Sequence, residues 1–163
     1  MREILFRAKR ADNGRWIEGY YMYHLNRMPS PVGDGIKPED EEHIILYDNF
    51  ADWNMPREIT YAPVYKTTVG QYIGMRDRTG KRIFEDDVVK IAVTHFEGYG
   101  TRCVTGAMKY DSAGNLGVVI EYIDNIPVWS DILYELNLSG DIEDYSFEVL
   151  GNIHDNPELL KRY

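Results

Sequence analysis

Thr68-Val69-Gly70-Gln71-Tyr72-Ile73-Gly74-Met75-Arg76-Asp77-Arg78-Thr79-Gly80-Lys81-Arg82-Ile83-Phe84-Glu85-Asp86-Asp87-Val88-Val89-Lys90-Ile91 is the stretch whose reading decides the fold. Gln71 to Arg76 reads as a strand. Asp77-Arg78-Thr79-Gly80 is a turn with glycine at its last position. Arg82-Ile83-Phe84 returns. After Glu85-Asp86-Asp87, the run from Val88 to Val93 is strongly β-prone.

Working outward, the pattern repeats. Cys103 to Tyr110 reads as a strand, residues 111–115 as a turn, and Gly117 to Ile123 as the return. Short strands with frequent turns predict a small SH3-like barrel or sandwich. Upstream, Ile4, Phe6 and Ala8 alternate with Leu5, Arg7 and Lys9, which is a strand period. Asp12-Asn13-Gly14 is a hairpin turn and Trp16 to Tyr23 its return. Residues 25–42 form a long loop with three prolines, two glycines and an acidic run. Loops of that length are either linkers or binding elements. His43 to Tyr47 is a short strand. Glu58 to Val64 is another, placed at an edge by Pro63. Trp129, Ile132, Leu133 and Leu136 fall at i, i+3, i+4 and i+7, so 127–137 reads as a helix, with a strand as the alternative. Ser146 to Asn152 reads as a last strand. Asn156-Pro157-Glu158 starts a short C-terminal helix, with Asn as N-cap and Pro at the first position. The chain is expected to be mostly β with minor α. Residues 1–65 form a β-rich N-terminal region and 66–163 the small barrel-like one, or the two make one continuous globular unit.

The charge map is polarised. The net charge is −9. Residues 1–27 carry six basic and three acidic side chains, and residues 66–90 carry six and four. Between Lys109 and Lys161 there is no Lys or Arg, yet ten acids lie from Asp111 to Asp155. This balance argues against sequence-independent binding to nucleic acid or anionic membrane, which needs clustered cations. Cys103 is the single cysteine. It rules out an internal disulfide and a Cys-based zinc site, and its apolar neighbours make it a small buried residue. Met1 to Arg7 lacks a hydrophobic signal core, and no run approaches the roughly 18 apolar residues of a membrane span. The expected location is the cytoplasm.

Most candidate chemistry fails on spacing. Gly74 to Lys81 has five residues between its glycines and Arg82 after the lysine, so it is no phosphate loop. Gly98-Tyr99-Gly100 lacks the third glycine of a dinucleotide fingerprint. Glu85, Asp86 and Asp87 cannot converge on a metal from a straight strand, because neighbours point to opposite faces. His24, His43, His95 and His154 have no partners at metal-ligand spacing. There is no Gly-x-Ser-x-Gly elbow. No catalytic residue, cofactor or metal is therefore assigned. Arg76, Arg78, Lys81 and Arg82 crowd one turn, with Tyr72 and Asp87 nearby. These six form the expected binding surface, since basic residues beside an aromatic suit phosphate or an acidic partner.

Three segments carry a family resemblance. They are Met1-Arg2-Glu3-Ile4-Leu5-Phe6-Arg7-Ala8, the stretch from Thr68 to Lys90, and Val149-Leu150-Gly151-Asn152-Ile153-His154-Asp155-Asn156-Pro157-Glu158-Leu159-Leu160. Their order and spacing resemble the YopX family of phage and prophage proteins over essentially the whole chain. The resemblance implies a β-rich protein and brings no enzymatic activity, cofactor or catalytic residue. The family usually reads Glu-Gly-Asp before the apolar strand, and here Asp86 replaces that glycine. If the glycine serves a positive φ, Asp is among the better substitutes.

The expected function is that of a non-enzymatic, self-associating binding or assembly module of phage origin, with a phage or host protein as a further partner. The alternatives are a nucleic-acid-associated protein using its basic hairpin tips and an acidic DNA mimic that occupies a host enzyme. A hydrolase using metal at residues 85–87 ranks last.

Overall fold

The computed structural model describes residues 3–28, 32–33, 35–49, 58–95, 100–123, 126–130 and 142–162. The chain forms two compact units, Met1–Gln71 and Tyr72–Tyr163. It is mostly β and antiparallel, as the alternating runs predict.

The N-terminal unit is a meander. β1 (Phe6–Lys9), β2 (Trp16–Leu25), β3 (Glu41–Asn49) and β4 (Glu58–Pro63) lie side by side in chain order. The expected hairpin turn is present: Gly14 has φ +68°, and its N–H reaches the Arg10 carbonyl at 2.9 Å. An L-residue resists that backbone conformation. The long loop between β2 and β3 is gathered at its base. Asp40, at the end of a 3₁₀ turn (Pro38–Asp40), accepts from Arg27 Nε at 2.6 Å and from the Lys37 N–H at 2.9 Å. Among the described residues β4 pairs with β3 alone, so Pro63 does sit on an edge strand. The Val64 N–H bonds to His43 O, which turns alternate β4 residues toward β3 and the proline nitrogen away from it. The Pro63 carbonyl is taken by the Ala11 N–H at 2.9 Å, and Val64 bridges Arg10, so the sheet curls back on itself at this end. Ala8, Ile45 and Val64 fill the concave side, with Phe6, Ile17, Tyr21 and Val69 packed around them.

The C-terminal unit begins within β5 (Gly70–Arg76) and continues with β6 (Arg82–Phe84), β7 (Asp87–His95), β8 (Thr101–Tyr110), β9 (Leu116–Ile123), β10 (Ile126–Ser130) and β11 (Ile142–Asn152). Five strands form a sheet in the order β10-β9-β8-β7-β11, and β12 (Lys161–Arg162) pairs in parallel with β9. Ile73 of β5 and Ile83 of β6 pack on the face that carries Val89, Ile91, Val93, Met108, Val118 and Phe147. The strand order is open among the described residues. The expectation of a barrel or sandwich therefore resolves to a sandwich-like packing without a closed barrel.

Three expectations need correction. Residues 126–130 are strand β10, and the rest of the predicted helix lies outside the described residues. Trp129 pairs across from Val119, and its ring lies where a side chain on Gly117 would stand, so sheet pairing overrides the helical spacing. Cys103 is exposed. The strand alternates as expected but with the opposite phase: Gly106 and Met108 face inward, and Cys103 and Thr105 face out. The C-terminal helix is only a 3₁₀ turn, Pro157–Leu159, and Asn156 makes no side-chain cap bond there. Leu160 still docks, buried against Val88 and Ala107.

Candidate functional site

The turn at Glu85-Asp86 is where the structure concentrates unusual chemistry. Asp86 is the one non-glycine residue with positive φ among the described residues, at +66°. This is the conformation that the third position of a type II turn demands and that glycine takes without strain. The replacement of glycine by Asp is thus accommodated as its chemistry suggests. The backbone of Asp86 is clamped on both sides. Its N–H bonds to Met108 O at 2.8 Å, and its carbonyl accepts from the Ile153 N–H at 2.9 Å.

The three consecutive carboxylates do not converge. Asp87 is 1% exposed, and its Oδ2 accepts the Phe84 N–H at 2.9 Å. It braces the turn from inside. The Asp86 carboxylate turns instead to two side-chain donors. Lys109 Nζ bonds to Oδ1, and His154 Nε2 lies 3.0 Å from Oδ2. A carboxylate only accepts, so His154 carries its proton on Nε2. Burial pushes the Asp86 pKa up, but the hydrogen bonds from His154 and Lys109 outweigh it and hold the carboxyl below its ordinary value. Sequence spacing did not single out this cluster, because its members lie 23 and 68 residues from Asp86. The same holds for His24, which sits 3.1 Å from Glu42, and for His43, whose Nδ1 meets the Tyr21 hydroxyl.

The six residues expected to form a binding surface divide. Arg76, Arg78 and Lys81 are exposed at the β5–β6 tip, and Arg82 is half-buried. Arg78 pairs with Glu148 at 2.8 Å, and Arg76 caps the turn by donating to Gly80 O at 2.8 Å. Tyr72 is buried, its ring tilted against Phe84 at 5.7 Å, with the Arg82 guanidinium 5.9 Å from its centroid. Tyr72 and Asp87 therefore support the tip from within.

Asp77 organises that tip. Its Oδ1 accepts from the Thr79 hydroxyl at 2.6 Å, the Thr79 N–H at 2.8 Å and the Lys81 N–H at 3.0 Å. The Thr79 hydroxyl bond is the largest influence, and together these donors lower the Asp77 pKa to about 2. A depressed folded-state value means stability that is present above the unfolded value near 3.9 and lost as pH falls toward 2, on the order of 2 kcal/mol. Asp77→Asn is expected to flatten urea-derived stability between pH 4 and 2. An unchanged slope would refute the assignment.

The N-terminal sheet presents a different feature. Register places Tyr20, Leu46 and Tyr61 in one row and Met22, Ile44 and Pro63 in the next. Alternation puts both rows on the face opposite the core residues Tyr21 and Ile45, together with Ile59. On that face Ile59 is 76% exposed, Tyr20 67%, Tyr61 60% and Met22 41%. No helix among the described residues is long and apolar enough to cross a membrane.

These features define an antiparallel β protein of two units, one a curled sheet with an apolar aromatic face and the other sandwich-like with a braced basic hairpin tip. The chain belongs to the YopX family, whose model, described as YopX protein, matches residues 5–161. It is also similar to the crystal structure of protein EF1440 from Enterococcus faecalis, at 20% identity and a TM-score of 0.46, covering 98% of this chain and 99% of that one. No curated protein matches the chain.

Proposed function

We propose that the chain is a non-enzymatic binding module, an accessory protein of phage or prophage origin, that associates with a second copy of itself. The observation that carries this reading is the exposed face of Tyr20, Met22, Ile59 and Tyr61. Contiguous apolar surface of this kind marks a contact site. Tyr and Met are the side chains that interfaces favour, Tyr for its broad body with a wet tip and Met for its adaptable shape. A second copy is the occupant that the charge map favours. Arg78 already meets Glu148 of the acidic stretch within the chain, and Arg76 and Lys81 at the same tip stay exposed to meet the stretch without Lys or Arg between Lys109 and Lys161 in another copy. The net charge of −9 weighs against nucleic acid as the partner.

Sedimentation velocity over a concentration series tests this. The expected result is a reversible dimer, weakened at least about tenfold in Kd by Tyr20→Ser with Tyr61→Ser. Both side chains are exposed, so the fold is expected to tolerate the exchange. A monomer at every concentration, or a dimer indifferent to the double substitution, would overturn the reading.

A further inference from the structure

We infer that Lys109 and His154 form a seat for a two-oxygen anion, and that Asp86 fills this seat from within the chain. The argument starts from the backbone. At φ +66° Asp86 carries a conformational penalty that glycine would not. The turn does not need the side chain to hold its place, because Met108 O and the Ile153 N–H fix the Asp86 backbone. The strained residue contributes something else, and the structure places two donors at its two oxygens.

Those donors arrive independently of Asp86. Lys109 belongs to β8, which is registered against β7 and β9. His154 follows β11 in a turn built on Asn152, whose Oδ1 accepts the His154 N–H at 3.0 Å and the Asp155 N–H at 2.9 Å. Both side chains are largely covered, with relative exposures of 27% and 17%. Two donors, an ammonium and an imidazole N–H, brought close in a partly desolvated place favour a negative group between them. A carboxylate, phosphate or sulfate oxygen pair meets that geometry. In this chain the group is the Asp86 carboxylate, one oxygen to each donor.

The seat is therefore closed to outside anions in the wild type and opened by Asp86→Gly, which also removes the backbone strain. The test is thermal unfolding with inorganic phosphate as the probe, at constant ionic strength made up with chloride. Asp86→Gly is expected to gain about 3 °C between zero and 50 mM phosphate, while the wild type does not move. Adding Lys109→Met to Asp86→Gly is expected to abolish the gain. If Asp86→Gly does not fold, Asp86→Ala carries the same expectation, since it too empties the seat while keeping the backbone strain. A phosphate response no larger than that of the wild type, or one that survives Lys109→Met, would overturn the inference.

Discussion

Phe84→Ala is expected to cost the C-terminal unit about 3–5 kcal/mol, among the largest losses available to a single substitution in this chain. Phe84 is 1% exposed at the end of β6. Its ring packs against Tyr72, itself 5% exposed, so truncation leaves a void bordered by a second large ring. The cost has two parts. One is the lost transfer of an aromatic side chain from water, and the other is the contacts that the surviving wall can no longer make. A third effect follows from the neighbouring turn. The Phe84 N–H is held by the buried Asp87 carboxylate, so any shift of the β6 end also disturbs a charged acceptor with little access to water. Urea unfolding followed by far-UV circular dichroism checks the value. Arg78→Ala, at the exposed tip of the same β5–β6 hairpin, serves as the reference and is expected to stay within about 1 kcal/mol, the usual worth of an exposed ion pair such as that with Glu148. A loss below about 1 kcal/mol for Phe84→Ala would show that the site collapses around the deletion and that the ring is not a core element.

The contrast between Phe84 and the rest of its segment shows what sequence carries and what it does not. The β5–turn–β6 succession was legible because its signals are local. Apolar residues alternate, Asp77 and Gly80 bracket a turn, and a branched run follows. The backbone of Asp86 was reachable only through the family resemblance: if the family's glycine serves a positive φ, Asp is among its better substitutes, and Asp86 has φ +66°. The partners of Asp86 were not, because Lys109 and His154 reach it only after three strands and the chain end have been assembled. Cys103 illustrates a subtler limit. Period two shows that a strand has two faces, but not which face is covered, and here the covered set begins one residue later. The N-terminal face has the same ambiguity in reverse. Tyr20 to Tyr23 is apolar on both sides of β2, and only the curl of the sheet decides that Tyr21 goes in and Tyr20 stays out. At Trp129 a helical spacing of apolar residues coincided with a strand, and pairing with β9 prevailed because it satisfies backbone groups that periodicity says nothing about.

Gly19→Ala is expected to be at least as damaging to the N-terminal unit as one buried aromatic is to the other. A Cβ built at position 19 would stand 2.0 Å from the Leu46 carbonyl oxygen and 2.8 Å from Ile45 Cγ2. The first is a backbone atom of the neighbouring strand, so no rotamer change relieves the clash, and β2 and β3 must separate. Ile45 is fully buried at the centre of this unit's core. Moving it disturbs Ala8 and Val64, which pack with it on the concave side. Overpacking in a well-filled core costs typically 1–3 kcal/mol, and a clash with main chain belongs at or above the upper end. The expected result is a loss of about 3 kcal/mol or more, read as a fall in Tm of roughly 6–12 °C for a chain of this size. Gly14→Ala separates this mechanism from mere backbone preference. Gly14 has φ +68° and nothing within 4 Å of its would-be Cβ, so alanine there meets conformational strain alone, about 1–2 kcal/mol. If the two variants lose the same stability, close approach of β2 to β3 is not what position 19 protects. If Gly19→Ala loses clearly more, the curl that buries Tyr21 and exposes Tyr20 depends on a residue without a side chain.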